Sequence, residues 1–235
     1  MRMMGTALVA LLAALIGGGI GGYAVSRMGG GSGDVRAYLL EHPEVLPEAM
    51  QRLGQREAAK AVSAQRGAIE AAFPGAVAGN PQGDVTLVAF MDYNCGYCRA
   101  SLPALDALVQ ADPQLRVVYR ELPILSPQSR TASEWALAAA AQGKFKPFHA
   151  ALFAEGRTDD AAIARAAARA GLDVAAARTA AASPAIDAEI ARNLEVAGKL
   201  GLTGTPSWVV GDAVLSGAQT ADALRAAIRD ARASR

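Results

Sequence analysis

The chain has 235 residues, 52% of them hydrophobic and 19% charged, a balance that supports a sizeable buried core and excludes global disorder. The formal net charge is +1, and residues 1–33 hold Arg2 and Arg27 without any acid, so the remainder sits near −1. This excludes the basic footprint of a nucleic-acid or phosphate-binding protein, and no nucleic-acid partner is expected.

Met3 to Ser26 carries no charged residue and lies between Arg2 and Arg27. As a helix it would span about 36 Å, more than the roughly 30 Å hydrocarbon core, whereas the apolar part of a cleavable signal needs only about 7 to 15 residues. Length therefore favours a membrane anchor over residues 1–28. The small residues in Gly22-Tyr23-Ala24 and Ala24-Val25-Ser26 suit a signal peptidase, so a cleaved signal peptide stands beside that reading. Gly17/Gly21 and Gly18/Gly22 have the spacing of helix-associating membrane segments, which a glycine-rich run also produces by composition alone. Residues 29–33 read as a flexible linker. Everything beyond them is expected outside the cytoplasm, where disulfides persist.

Asp34 is the expected N-cap of a helical arm over residues 34–73. Val35, Leu39, Leu46, Met50 and Leu53 recur at helical intervals and make one apolar face. Pro43 and Pro47 are expected to interrupt it, giving a short helix to about His42 and a longer one to about Ala72. The apolar face must be covered either by the chain's own domain or by copies of itself.

From residue 74 onward strand and helix signals alternate. Val85 to Met91 reads as a strand buried on both faces, Cys98 to about Asp112 as helix, and Leu115 to Tyr119 as a second buried strand ended by Glu121-Leu122-Pro123. Ser129 to Lys199 is alanine-rich and helical, with stops at Gly143, Gly156, Gly171 and Ser183-Pro184; Asp159 and Ser183 are the expected caps. Ser207 to Val210 and Ala213 to Leu215 form a hairpin about Gly211-Asp212, and Ala221 to Arg232 closes with a helix. A βαβ half followed by a ββα half is the α/β layout of a thioredoxin fold, with a helical lobe inserted over about 125–200 of a catalytic domain at 74–235.

The chemistry lies between the first strand and the helix after it. The only two cysteines form Cys95-Gly96-Tyr97-Cys98, which rules out a disulfide framework and suits a pair that cycles between dithiol and disulfide. Cys95 falls at the helix N-terminus, where unpaired N–H groups and the positive end of the helix dipole favour a thiolate, the attacking species. Cys98 lies one turn on, within reach, and is expected to be the more buried sulfur that resolves a mixed disulfide. Gly96 is expected to permit a tight approach, and Tyr97 adds no charge. Pro103 is expected to kink the helix. A zinc site would need about four ligands. His42 and His149, the only histidines, are far apart and read as surface or capping residues, so no metal ligand set is expected. No cofactor is called for.

Phe90-Met91-Asp92-Tyr93-Asn94-Cys95-Gly96-Tyr97-Cys98, Arg120-Glu121-Leu122-Pro123-Ile124-Leu125 and Gly201-Leu202-Thr203-Gly204-Thr205-Pro206-Ser207 together resemble the DsbA-like family of thioredoxin-fold periplasmic oxidoreductases. Within it the chain is similar to the ScsC-type branch, and Tyr38 to Leu46 resembles that branch's N-terminal region. The resemblance implies that Pro206 is a cis-proline and that the Thr205 backbone lies beside Cys95, where it binds a client strand. It further implies exported clients with thiols or disulfides, and a membrane redox partner that resets the pair. Many thioredoxin-fold enzymes keep a buried carboxylate six residues before the first cysteine; here Ala89 stands in its place. Glu121 is a candidate proton relay for Cys98, set against its ordinary reading as a solvated strand-end residue. Cys-Gly-Tyr-Cys with Thr before the proline also resembles the isomerase DsbC. That leaves an isomerase, self-associated as trimer or dimer through residues 34–72, against a monomeric oxidase. A copper-binding redox chaperone using the same thiolates is the alternative from another class.

Overall fold

The structure, a computed structural model, describes residues 32–234. The expected anchor or signal at 1–28 lies outside the described residues, and among those described no helix is long and apolar enough to cross a membrane. The chain divides into two units, 1–54 and 55–235.

The first unit contains α1 (Ser32–Glu41) and the start of α2 (Val45–Glu70). Helix α1 begins two residues before the expected cap, so Ser32 and Gly33 are helical rather than linker and Asp34 falls in the first turn. There its carboxylate complements the helix dipole. Pro47 does not interrupt α2. It is that helix's third residue, within the first turn, where a missing N–H forfeits no intrahelical bond. Val35, Tyr38, Leu40, Leu46, Met50 and Leu53 are all more than half exposed.

The second unit is built on a five-stranded mixed sheet, in the order β1 (Val77–Gly79), β3 (Leu115–Glu121), β2 (Val85–Met91), β4 (Ser207–Val210) and β5 (Ala213–Ser216). β2 and β3 run parallel, while β1, β4 and β5 pair antiparallel with their neighbours. The short β1 was not foreseen, since three residues ending in glycine carry no alternation to read. Every residue of β2 is buried, and successive side chains go to opposite faces. Val85, Leu87, Ala89 and Met91 join one apolar cluster; Val88 and Phe90 join another.

The first cluster gathers α3 (Gly96–Ala111) and α9 (Ala221–Ala233) through Leu105, Leu108, Leu224 and Ile228, and extends into the helical lobe. The second holds Val62 and Ile69 of α2 with Val196, Ala197 and Leu200. The lobe consists of α4 (Pro127–Ala141), α5 (Phe145–Glu155), α6 (Asp160–Arg169), α7 (Val174–Ala181) and α8 (Pro184–Lys199). Gly143, Gly156 and Gly171, the expected stops, have φ of 66–68°, the left-handed conformation that ends helices. Asp159 caps α6 by accepting from Ala162 N–H at 3.0 Å, whereas Ser183 precedes α8 without a side-chain cap bond. Proline at the first position of α8 already removes one orphan donor.

Arg120, 2% exposed, donates Nε to the Ile69 carbonyl at 2.9 Å and Nη2 to the carbonyls of Ala68 and Ala71. Its Nη1 lies 2.5 Å from Asn193 Oδ1 and 3.4 Å from Glu189 Oε1 on α8. One guanidinium thus satisfies the C-terminal carbonyls of α2 and joins that helix to β3 and α8.

Candidate active site

Met91 ends β2 and Gly96 begins α3, so Asp92 to Cys95 turns the chain at the carboxyl edge of the sheet, where open α/β sheets place their sites. Cys95 is the N-cap of α3, with φ −88° and ψ 111°. Its Sγ accepts the Cys98 N–H at 3.2 Å, and its thiol lies 3.2 Å from the Thr205 carbonyl oxygen, to which it donates. The helix therefore offers a backbone donor to charge developing on this sulfur.

Both cysteines are free thiols; Cys95 is 6% exposed and Cys98 fully buried. Burial pushes the Cys98 thiol well above its ordinary value, with the Asp92 backbone and the Thr205 side chain opposing. Thr205 Oγ1 is buried and has no hydrogen-bond partner within normal geometry. The Thr205–Pro206 bond is cis. Gly96 does not serve a close approach: a Cβ built there meets no atom within 4 Å, and its φ is not positive. Tyr97 is 71% exposed.

Three consecutive side chains ahead of Cys95 fasten this turn. The buried Asp92 carboxylate accepts the N–H of Asn94 at 2.8 Å and those of Ile124 and Leu125, each at 3.0 Å. Asn94 Nδ2 lies 2.6 Å from Ser126 Oγ, the N-cap of α4, and 3.1 Å from Ser129 Oγ, while its Oδ1 accepts from Thr158 at 2.8 Å. The Tyr93 hydroxyl lies 2.8 Å from His149 Nδ1 and 3.3 Å from Glu121 Oε1, whose second oxygen accepts from Ser133 at 3.0 Å.

Glu121 is therefore not a solvated strand end: it is 2% exposed, and its hydrogen bonds go to Tyr93 and Ser133 rather than to either cysteine. Burial pushes its carboxyl up to about 8, with those hydrogen bonds opposing and the Asp92 charge reinforcing. His149 is not a surface or capping residue either. It is 5% exposed and packs against Tyr93, Tyr119, Phe145 and Phe153, and burial pushes it down to about 3. The sequence signal that could have found both is weak: an acid closing a buried strand, and a histidine among aromatics on an apolar helix. Ala89, where many thioredoxin-fold enzymes keep an acid, is fully buried between Tyr119 and Trp208 on the flanking strands.

Residues 86–229 match the DSBA-like thioredoxin domain, and residues 35–60 match the copper resistance protein ScsC N-terminal domain. A thioredoxin-like oxidoreductase from Silicibacter pomeroyi DSS-3 is 44% identical, with 68% of this chain and 94% of that one covered and a TM-score of 0.66. Proteus mirabilis ScsC in a transitional conformation is 28% identical, with 86% of this chain and 93% of that one covered and a TM-score of 0.68. The Na+/H+ antiporter NhaA 3 of Salinispora tropica is 33% identical over 161 residues, or 67% of this chain. The chain spans only about a quarter of the length of such curated relatives, 25% in that case. With Cys95 capping a helix that holds Cys98 in its first turn, beside a cis-proline and on a mixed sheet carrying a helical lobe, the chain belongs to the DSBA-like thioredoxin domain family of thiol–disulfide oxidoreductases.

Proposed function

We propose that this chain is a periplasmic enzyme that exchanges disulfides in exported clients, with Cys95 as nucleophile and Cys98 as resolving thiol. The observation that carries this reading is the setting of Cys95 Sγ, 3.2 Å from a helix-terminal N–H and 3.2 Å from the Thr205 carbonyl, with Cys98 buried one turn away. The Cys95 thiolate attacks one sulfur of a client disulfide, forming a mixed disulfide and releasing the other client sulfur, which takes a proton from solvent. Cys98 then loses its proton and attacks Cys95 Sγ. The client leaves as a dithiol and the enzyme holds the Cys95–Cys98 disulfide. Run backwards, the same steps oxidise a client; isomerisation follows when a client thiol attacks the mixed disulfide before Cys98 does.

Thr205 and Pro206 hold the client backbone, while Gly96 and Tyr97 shape the rim. Tyr97 at 71%, Ile124 at 41% and Leu125 at 51% exposure give the apolar contact an unfolded client needs, and Asp92 fixes the backbone of the last two. Export rests on the uncharged run within residues 1–28, which either anchors the chain or is cleaved. A membrane redox partner resets the cysteines.

The exposed arm residues Val35, Tyr38, Leu40, Leu46, Met50 and Leu53 favour self-association through residues 34–72, as trimer or dimer, and with it isomerase activity. The test measures native mass and rescue of a scrambled substrate for residues 34–235 and 55–235. Cutting at Gly54 spares Val62 and Ile69, which lie in the core. Isomerase activity requires an oligomer that loses rescue when cut, whereas a monomer that oxidises dithiols without rescuing scrambled protein is an oxidase. Negligible turnover beside tight copper binding would instead favour the metal-chaperone alternative.

A further inference from the structure

The chain of hydrogen bonds behind Tyr93 makes no bond to either cysteine, and the exchange steps do not use it. Tyr93 has one hydroxyl proton and two neighbours, Glu121 Oε1 at 3.3 Å and His149 Nδ1 at 2.8 Å. One proton cannot serve both, so one neighbour must donate to the Tyr93 oxygen. Two arrangements meet that condition. In the first, Glu121 is a neutral acid and donates to Tyr93, Tyr93 donates to Nδ1, and the imidazole carries its hydrogen on Nε2. In the second, Glu121 is ionised, Tyr93 donates to it, and the imidazole carries its hydrogen on Nδ1 and donates to Tyr93. Ser133 donates to Glu121 Oε2 in both. The second differs from the first by one proton lost to solvent: the carboxyl proton passes to Tyr93, the Tyr93 proton to Nδ1, and the Nε2 proton departs.

Burial makes the choice between these arrangements matter. Glu121 is 2%, Tyr93 4% and His149 5% exposed, and His149 Nε2 is buried without a hydrogen-bond partner. The groups facing the carboxyl are Asp92 and Tyr93 from the loop, Ser133 from α4 and His149 from α5, the last through Tyr93. Arg120, its neighbour on β3, is committed to Ala68, Ile69, Ala71, Glu189 and Asn193. Thus no basic side chain among the described residues hydrogen-bonds Glu121, and Asp92 adds a like charge.

We propose that Glu121, Tyr93 and His149 form a buried relay whose direction is set by the charge on Glu121, and that it adjusts exchange at the cysteine pair through the loop Tyr93 shares with Cys95. The three are positioning residues, and the proposal rests on the reading of Cys95 and Cys98 as the exchanging pair. Because burial holds the Glu121 carboxyl near 8, the neutral arrangement prevails at neutral pH and reverses above it. Ionised Glu121 puts a buried negative charge at the foot of the loop, which opposes a second one on a cysteine sulfur.

The relay is read directly by imidazole nitrogen resonances of the full chain, which has only two histidines. The His149 tautomer is expected to change from Nε2–H to Nδ1–H with a midpoint near 8, and to stay fixed in both Glu121→Gln and Tyr93→Phe. No change in the wild type, or the same midpoint in Glu121→Gln, overturns the relay. For function, Glu121→Gln is expected to match the wild-type exchange rate at about pH 6.5 and to exceed it about two-fold or more at about pH 9. Superimposable rate profiles overturn the link to exchange. A wild-type chain that exchanges no thiols at any pH sinks the proposed function instead, and the tautomer measurement still decides the relay.

Discussion

Cys95 and Cys98 have different work because one helix turn gives them different surroundings. Cys95 meets the rim and a helix-terminal donor, while Cys98 is sealed in and burial holds it protonated. Cys98→Ser is therefore expected to accumulate a client-linked mixed disulfide, visible as a non-reducing adduct that dithiothreitol dissolves. Cys95→Ser is expected to form none and to exchange at background rate; retained activity in that variant would remove the basis of the mechanism. Gly96 makes a contrasting case. With open space around its missing Cβ, Gly96→Ala is expected to leave stability unchanged or raise it by about 0.5 to 1 kcal/mol in denaturant titration. A loss of more than about 1 kcal/mol would show that the turn needs glycine after all.

At the level of elements, the cysteine turn is held from three sides by three successive residues, and Asp92 is the most exacting of them. Its carboxylate serves three backbone N–H groups, two of them at Ile124 and Leu125 across the loop. Asp92→Ala leaves those donors without their acceptor and is expected to cost about 1 to 3 kcal/mol of stability while loosening the apolar rim. Asp92→Asn retains one acceptor oxygen and is expected to lose less. Comparing urea midpoints of the two with wild type measures this, and equal midpoints for all three would show that the bonds are replaced by water. None of this fastening was legible in the sequence. Cys-x-x-Cys and Thr-Pro are contiguous signals, and the all-apolar run of β2 announces its burial. By contrast, Tyr93 meets partners 28 and 56 residues away, which the β2–β3 pairing and the folded lobe bring to it. The arm shows another limit: Pro47 looked like a break because its place within the first turn depends on where α2 begins.

For the whole molecule, Glu121 and His149 bend the stability of the fold in opposite directions along the pH scale. Between about 4.5 and 8 the folded chain keeps the Glu121 proton and the unfolded chain gives it up, so stability falls as pH rises through that window. Between about 3 and 6.5 the unfolded chain protonates His149 and the folded chain does not, so stability falls as pH drops through that window. Where the windows overlap, the two slopes cancel. The expected curve is a plateau from about 4.5 to 6.5 with a decline on each side, each approaching about 1.4 kcal/mol per pH unit for one proton. Asp112, which Arg232 holds below the usual carboxylate range, adds to the acid limb. Urea unfolding across this range separates the contributions. Glu121→Gln is expected to flatten the limb between about 6.5 and 8 and to extend the acid decline up to about 6.5, whereas His149→Phe is expected to leave only the Asp112 part of the acid limb and to extend the alkaline decline down to about 4.5. An alkaline decline of the same slope in Glu121→Gln would mean that the Glu121 carboxyl is not the group that titrates there, and the assignment of that limb to its burial would fall.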